Sequence, residues 1–332
     1  MNKFLLILVF LLLLLGASMG WVYHQYQGFL QQPLQVQADG QTITIKRGSS
    51  HAAMVEKLLT EKISKDRWPW RLLQRLEPQL IKAGEYQLEE GMTPQMWLQR
   101  LSKGEVIRYS FTIIEGWRAA ELLLALKADD RLVQSLNSEA QAGLSTTLGI
   151  DGESIEGWFL PETYSFTKGD SDLSILRQSY HAMQVQLEKH WQEKAADLPL
   201  DNPYEMLILA SIVEKETALA SERSDVAGVF VRRLQKRMRL QTDPTVIYGL
   251  GDAFDGDIRW RDLRTDTPYN TYTRFGLPPT PIALPGAASL AAVGQPADGK
   301  TLYFVADGSG GHTFSETYAE HNKAVQRMLK RK

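Results

Sequence analysis

Residues 214–217 read Glu-Lys-Glu-Thr and follow directly on a run in which Met206, Leu207, Leu209, Ala210, Ile212 and Val213 are apolar. Asp201-Asn202-Pro203 ahead of that run is a strong helix start with proline at the first helical position, so the run predicts an almost wholly apolar core helix. Its carboxylates then fall at the C-terminal end, where the helix dipole and an apolar neighbourhood both oppose negative charge. At about 100° per residue, Glu216 lies roughly 55° from the mean direction of the apolar face and Glu214 roughly 105° away, which predicts Glu216 as the better-buried of the two. A carboxyl group so placed keeps its proton near neutral pH and can serve as a general acid. The same residues allow a purely structural reading, in which Glu216 pairs with Arg223 or another basic side chain.

The elements that must position this group follow it. Ser221-Glu222-Arg223 opens a helix whose buried stripe is Val226, Val229, Phe230 and Leu234, with Arg232, Arg233, Lys236 and Arg237 predicted on its solvated face. Gln241, Thr242, Asp243 and Tyr248 come next, a set of amide, hydroxyl, carboxyl and phenol groups of the kind that bind sugar hydroxyls, although a capped turn explains them equally well. Five prolines between Asp266 and Pro285 predict an extended, rigid loop that exposes Tyr269, Asn270 and Tyr272. Leu302–Ala306 reads as a buried strand, residues 307–311 as a turn and His312–Phe314 as the returning strand, ahead of a basic terminal helix. His312 and His321 belong to no metal-ligand pattern, and there is no GxSxG, phosphate-binding loop or dinucleotide fingerprint, so neither a metal nor another cofactor is expected.

At 332 residues the chain suits two folded units plus a further segment. Thirty-seven basic against 39 acidic residues give a net charge of -2, which argues against nucleic acid as a partner. The absence of cysteine excludes disulfides and thiol chemistry. Residues 4–22 carry no charge and have the length of a membrane-crossing helix. Lys3 predicts a cytoplasmic N-terminus, with Trp21 and Tyr23 in the outer interfacial belt. A cleaved signal peptide is the competing reading; the length of the apolar run favours a retained anchor.

Residues 24–40 are Gln-rich and are expected to be a stalk. Strands near 42–46 and 84–88, with helices after Ser49 and after Thr93-Pro94, make a small alternating unit. Further on, a strand is expected at Phe111–Ile114 and a long helix from about Ser171 to Ala196. Ile-Glu-Gly-Trp occurs at both 114–117 and 155–158, which predicts two similar loops and no repeat architecture.

The blocks LASIVEKETALASERSDVAGVFVRRL, LQTDPTVIYGLG, PYNTYTRFGLPPTPIALPGAASL and LYFVADGSGGHTFSETYAEHN closely resemble the endolytic murein transglycosylase family, MltG/YceG-like. The resemblance implies an α+β fold: a tail at 1–3, a transmembrane helix at 4–22, a linker at 23–40, a small LysM-like α+β module at 41–110, and a larger, mainly helical α+β catalytic domain at 111–332. It makes Glu216 the catalytic residue and Thr217, Gln241, Thr242, Asp243, Tyr248, Tyr269 and Asn270 its substrate-binding neighbours, with no metal or cofactor. The implied reaction cleaves the MurNAc-GlcNAc β-1,4 bond inside nascent peptidoglycan strands, leaving 1,6-anhydroMurNAc ends and terminating elongation.

The implied setting is the bacterial inner membrane, single-pass, with the catalytic domain periplasmic, peptidoglycan as substrate and penicillin-binding proteins among its partners. Glu156, Glu162, Glu222 and Asp243 are the carboxylates that could turn the scheme into hydrolysis if the fold brought one within roughly 5–9.5 Å of Glu216. A hydrolytic muramidase and a non-catalytic wall-binding scaffold are therefore the two competing functions.

Overall fold

The computed structural model describes residues 3–137, 141, 143–152 and 154–330. Met1 and Asn2 of the expected 1–3 tail lie outside the described residues. Contacts divide the chain into two units, residues 1–109 with 166–169, and residues 110–165 with 170–332.

The first unit begins with helix α1 (Lys3–Gln31), which is long and apolar enough to cross a membrane, with a mean hydropathy of 2.6 over its most apolar stretch. This helix does not stop at residue 22, and the expected 23–40 linker is corrected accordingly. Tyr26, Phe29 and Leu30 recur at helical spacing among the glutamines, and Tyr26, Leu30 and Leu34 are buried in the unit's core. Strand β1 (Gln41–Ile45) leads to α2 (His51–Thr60), α3 (Trp68–Leu76) and strand β2 (Gly84–Leu88). The two strands are antiparallel, Ile43 facing Tyr86 and Ile45 facing Gly84, with both isoleucines turned inward as their alternation predicts.

Helix α4 (Pro94–Lys103) starts at Thr93, whose hydroxyl accepts from the Met96 amide at 3.3 Å, and ends at Gly104 in the left-handed region. It buries Trp97 completely; the indole N–H points at the Met54 sulfur, 3.4 Å away, and the ring stands edge-on to Tyr86. Strand β3 (Arg108–Thr112) begins in this unit, which ends at Tyr109. Glu85 is buried there. Burial pushes its pKa up, but the ion pair from Lys168 and hydrogen bonds from Tyr109 and Thr44 outweigh that and hold it below the usual carboxylate range.

The second unit contains α5 (Ala119–Ala128), α6 (Leu144–Leu148), most of β4 (Thr163–Thr167), α7 (Asp172–Gln192), α8 (Pro203–Glu216) and α9 (Arg223–Gln235). It continues with α10 (Asp243–Leu250), α11 (Trp260–Arg264), α12 (Ala287–Gly294), the hairpin β5 (Tyr303–Ala306) and β6 (His312–Ser315), and α13 (Tyr318–Leu329). Helix α8 is its axis. Asn202 caps it by accepting from the Glu205 amide at 3.0 Å, and every residue from Met206 to Val213 is buried against α7, α9, α10 and α12. A helix segment enclosed on all sides needs no polar face, which is why Met206–Val213 is apolar except for Ser211, whose hydroxyl donates to the Ile208 carbonyl and accepts from the Ile282 amide.

The two Ile-Glu-Gly-Trp segments do form alike turns: Trp117 N–H bonds Ile114 C=O, Trp158 N–H bonds Ile155 C=O, both at 3.3 Å, and Gly116 and Gly157 sit at φ 75° and 83°. At Gly157 a Cβ would also meet Pro281 at 2.5 Å, so glycine is required twice over. Two expectations are corrected. Arg232 and Arg233 are not on a solvated face, because their guanidinium groups bond the carbonyls of Ala297, Thr301 and Leu302 and tie α9 to the segment that enters β5. The strand at 302–306 is half-buried, not buried: Tyr303 packs on Tyr318 and His321 and Phe304 on Phe230, yet the residues from Leu302 to Val305 keep some exposed surface and Ala306 is exposed.

Replacing Trp97 by alanine should cost the first unit about 3–5 kcal/mol, the range for deleting a large buried aromatic. Hydrogen exchange on the full chain should then show lost protection across β1, α2, β2 and α4, with α8 unchanged; retained protection in β1 and β2 would refute this account of the core.

Candidate active site

Glu216 is the last residue of α8, and it does not pair with Arg223. That guanidinium lies 3.8 Å from Glu214 and 4.0 Å from Glu115. Glu214 also accepts from the Gly286 amide at 2.9 Å and the Ser289 hydroxyl at 2.7 Å, and its side chain is only 5% exposed. The helical-wheel contrast therefore needs correcting: both glutamates are sheltered, because α12 and the chain leading into it cover the side of α8 that the wheel leaves open. What separates them is their company. Glu214 is a compensated structural charge, whereas the hydrogen-bond partner of Glu216 among the described residues is a single neutral group, the Thr242 hydroxyl, donating to Oε1.

This environment favours the protonated acid. Burial pushes the Glu216 pKa up most strongly and the Asp243 charge pushes it the same way, while the Thr242 hydrogen bond and the charges of His312 and Arg233 pull back; the balance is a pKa above the usual carboxylate range. Some surface of the side chain remains accessible, as a group that must meet a substrate requires.

Thr242 is held from the proline-rich loop. Thr271 C=O accepts from the Gln241 amide at 3.2 Å, and the Thr271 hydroxyl accepts from the Thr242 amide at 3.1 Å and shares a hydrogen bond with Thr245 at 2.9 Å. Gln241 stands at φ 51°, a left-handed conformation that costs a non-glycine residue about 1–2 kcal/mol, and its side chain is exposed. Asp243 is exposed as well and accepts from the Tyr272 hydroxyl at 2.6 Å.

The loop itself departs from the expectation of exposed aromatics. Asn270 is fully buried, its amide donating to the carbonyls of Asp262, Leu263 and Thr265 and its oxygen accepting from the Tyr272 amide, so it shapes the loop and has no surface to offer a ligand. Tyr269 and Tyr272 are half-buried, Tyr269 through a 2.8 Å hydrogen bond with Thr280. Tyr248 packs on Tyr269 with ring centroids 4.9 Å apart, lies under the Arg118 guanidinium and donates to Glu156 at 3.2 Å. Thr217 is buried directly after Glu216, and its hydroxyl accepts from the Leu219 amide at 3.1 Å, capping a local turn.

Of the four carboxylates singled out from sequence, Asp243 is the one whose charge bears on Glu216. Glu156 is buried and engaged by Tyr248 and the Ala119 amide at the start of α5. Glu222 binds both the ring and the backbone N–H of His312. Glu162 is exposed. Tyr272 joins this neighbourhood from the proline-rich loop in which the sequence placed it, whereas sequence reasoning missed Arg233 and His312. Arg233 is buried with its charge near Glu216 and hydrogen-bonds the Leu240 carbonyl just ahead of Gln241, a role that a basic residue on a helix stripe does not advertise. Among the described residues no group of three His, Cys, Asp or Glu side chains could hold a metal ion.

A family model described as the YceG-like family matches residues 43–327. The chain belongs to the YceG-like family. Among curated relatives, an endolytic murein transglycosylase of Bacillus subtilis is 29% identical over 320 residues, covering 90% of this chain and 88% of that protein. One from Streptococcus pneumoniae D39 is 27% identical and covers 74% of this chain but 50% of the relative, so the chain spans half the length of that protein. The structure of a YceG-like protein from Listeria monocytogenes is 30% identical, superposes with a TM-score of 0.53 and covers 86% of this chain and 99% of its own. The YceG-like match takes in the whole of α8, the Thr242 segment and the proline-rich loop.

A raised carboxyl pKa has a stability signature. The folded state holds the Glu216 proton more tightly than the unfolded chain, so this group costs nothing below the ordinary carboxylate pKa and becomes destabilising as pH rises toward its folded value. Glu216→Gln should therefore stabilise the second unit at neutral and mildly alkaline pH, with the gain vanishing near pH 4. A denaturation series across pH checks this, and a gain that grows toward low pH would have the wrong sign.

Proposed function

We propose that this chain is an endolytic murein transglycosylase anchored by α1, in which Glu216 alone acts as acid and then as base. The observation that carries the reading is the environment of that carboxyl group: sheltered, unpaired with any cation within ion-pair distance among the described residues, and touched by one hydroxyl. The name borne by the B. subtilis and S. pneumoniae relatives supplies peptidoglycan as the substrate.

In the reaction the protonated Glu216 gives its hydrogen to the glycosidic oxygen as the bond from MurNAc C1 to that oxygen breaks, releasing the GlcNAc hydroxyl. The C6 oxygen of the same MurNAc then bonds C1, and its proton passes to the Glu216 carboxylate. The acid is restored and a 1,6-anhydro ring closes, with no water consumed. One carboxyl suffices, whereas hydrolysis needs a second some 5–9.5 Å away. A raised pKa suits the first half of this cycle, and the Thr242 hydroxyl, which favours the ionised form, suits the second.

Exposed Gln241 and Asp243, with half-buried Tyr248 and Tyr269, are the side chains placed to meet sugar hydroxyls and ring faces. Residues 41–110, with their β1-α2-α3-β2 order, are read as a LysM-like module, and residues 111–332 as the catalytic domain. Lys3 ahead of the apolar run favours a cytoplasmic N-terminus at the inner membrane, with the catalytic domain periplasmic.

Incubating the full chain with un-nicked glycan strands should yield internal cuts with anhydro ends by mass spectrometry. Glu216→Gln should remove turnover while leaving glycan binding and folding intact, because the amide is nearly isosteric and cannot cycle a proton. Reducing ends carrying oxygen from labelled water would instead identify a muramidase, with Asp243 the first carboxylate to test, and binding without any cleavage by wild type would identify a scaffold. Thr242→Val removes the hydrogen bond that draws the Glu216 pKa down, so the alkaline limb of the activity profile, where the acid form is lost, should move to higher pH. A limb that stays put or moves down would disconnect Thr242 from the acid.

A further inference from the structure

We infer that the face of the first unit formed by α3 and the end of α1 is a seat for an anionic bilayer surface, so that α3 lies along the membrane plane. This rests on the reading that α1 crosses the membrane. The site is a groove of about 340 Å³ lined by Met19, Val22, Tyr23 and Tyr26 from α1 and by Leu72 and Leu76 from α3. It is continuous with the apolar run that ends at Val22.

Helix α3 is apolar on two sides. Trp70 and Leu73 are fully buried in the core, while Leu76 is 59% exposed, Trp68 before it 43% and Leu80 beyond it 75%. A soluble unit gains nothing by exposing these large apolar side chains within one short stretch of chain, whereas a helix at a headgroup boundary does.

Charge points the same way. Residues 62–82 hold Lys62, Lys65, Arg67, Arg71, Arg75 and Lys82 against Asp66 and Glu77, six basic and two acidic residues for a net of +4 in a chain whose total is -2. Arg71 and Arg75 are exposed and flank Leu72 and Leu76 in sequence, the arrangement of an interfacial helix attracted to acidic headgroups.

Rigidity removes the freedom to stand clear. Because α1 runs unbroken to Gln31 and is locked into the core by Tyr26 and Leu30, no flexible stalk lies between the apolar run and this face. Trp21 and Tyr23 mark the interfacial level on α1, and the groove begins within that same turn.

The chain has no cysteine, so a nitroxide can be placed at one site at a time in the full-length protein. Leu12→Cys, Leu76→Cys and Leu80→Cys, each labelled and reconstituted in vesicles of phosphatidylcholine with phosphatidylglycerol, should all show collisions with oxygen and several-fold fewer with a water-soluble nickel chelate than the same label free in solution. Adding Arg71→Glu with Arg75→Glu should restore chelate access at 76 and 80 and leave 12 unchanged. Labels at 76 and 80 open to the chelate while 12 is shielded would overturn the inference and leave the anchor standing. A chelate-accessible label at 12 would overturn both. Shielding of 76 and 80 from oxygen as well as chelate would mean that a protein covers the face, and indifference to the charge reversal would exclude acidic headgroups as its partner.

Discussion

At the end of α8 a carboxyl group is held where water is scarce and one hydroxyl answers it, and the rest of the second unit is arranged so that this imbalance persists. Glu214, two residues earlier on the same helix, shows the alternative outcome. It receives a guanidinium, a backbone amide and a serine hydroxyl, and so ties α8 to α9 and α12. The two carboxylates differ in company: a cation reaches Glu214 within ion-pair distance, and a hydroxyl is the hydrogen-bond partner of Glu216 among the described residues.

Withholding charge leaves the Thr242 segment to be positioned by neutral groups, and threonines do that work. Thr242, Thr245 and Thr271 exchange hydrogen bonds among hydroxyls and backbone, Asn270 fixes the loop that carries Thr271, and Gln241 accepts a left-handed backbone between them. Hydroxyls can donate or accept, so the frame tolerates either protonation state of Glu216 without rebuilding. Arg233 contributes from behind: its Nε and Nη1 donate to the carbonyls of Leu302, Arg239 and Leu240, so it shapes the segment before Gln241 and lends positive potential without forming an ion pair with the acid.

The first unit solves a different problem with the same economy. Its core is built around Trp70, Trp97 and Tyr86, and the helix carrying the apolar N-terminal run enters that core directly. The apolar N-terminal run and this core therefore share one continuous helix, with Tyr26 and Leu30 buried in the core that α2, α3 and α4 complete.

Much of this was legible in the residues. The start of α8 at Asn202-Pro203, the capped helix at Thr93-Pro94 and the paired Ile-Glu-Gly-Trp turns are local, and local sequence determines them because their hydrogen bonds close within a few residues; the alternation of Ile43 and Ile45 likewise sets which face of β1 turns inward, though not its distant partner β2. The sheltering of the Glu216 carboxyl group was legible too, since an apolar helix that ends in a carboxylate announces a conflict. Only the tertiary structure decided that Arg223 goes to Glu214, that Asn270 faces inward, that Arg232 and Arg233 leave the solvent, and that the glutamine-rich segment after residue 22 continues a helix into the core. Each of those outcomes joins groups distant in sequence or covers a helix face with another element, and no periodicity within one segment carries information about what will be packed against it.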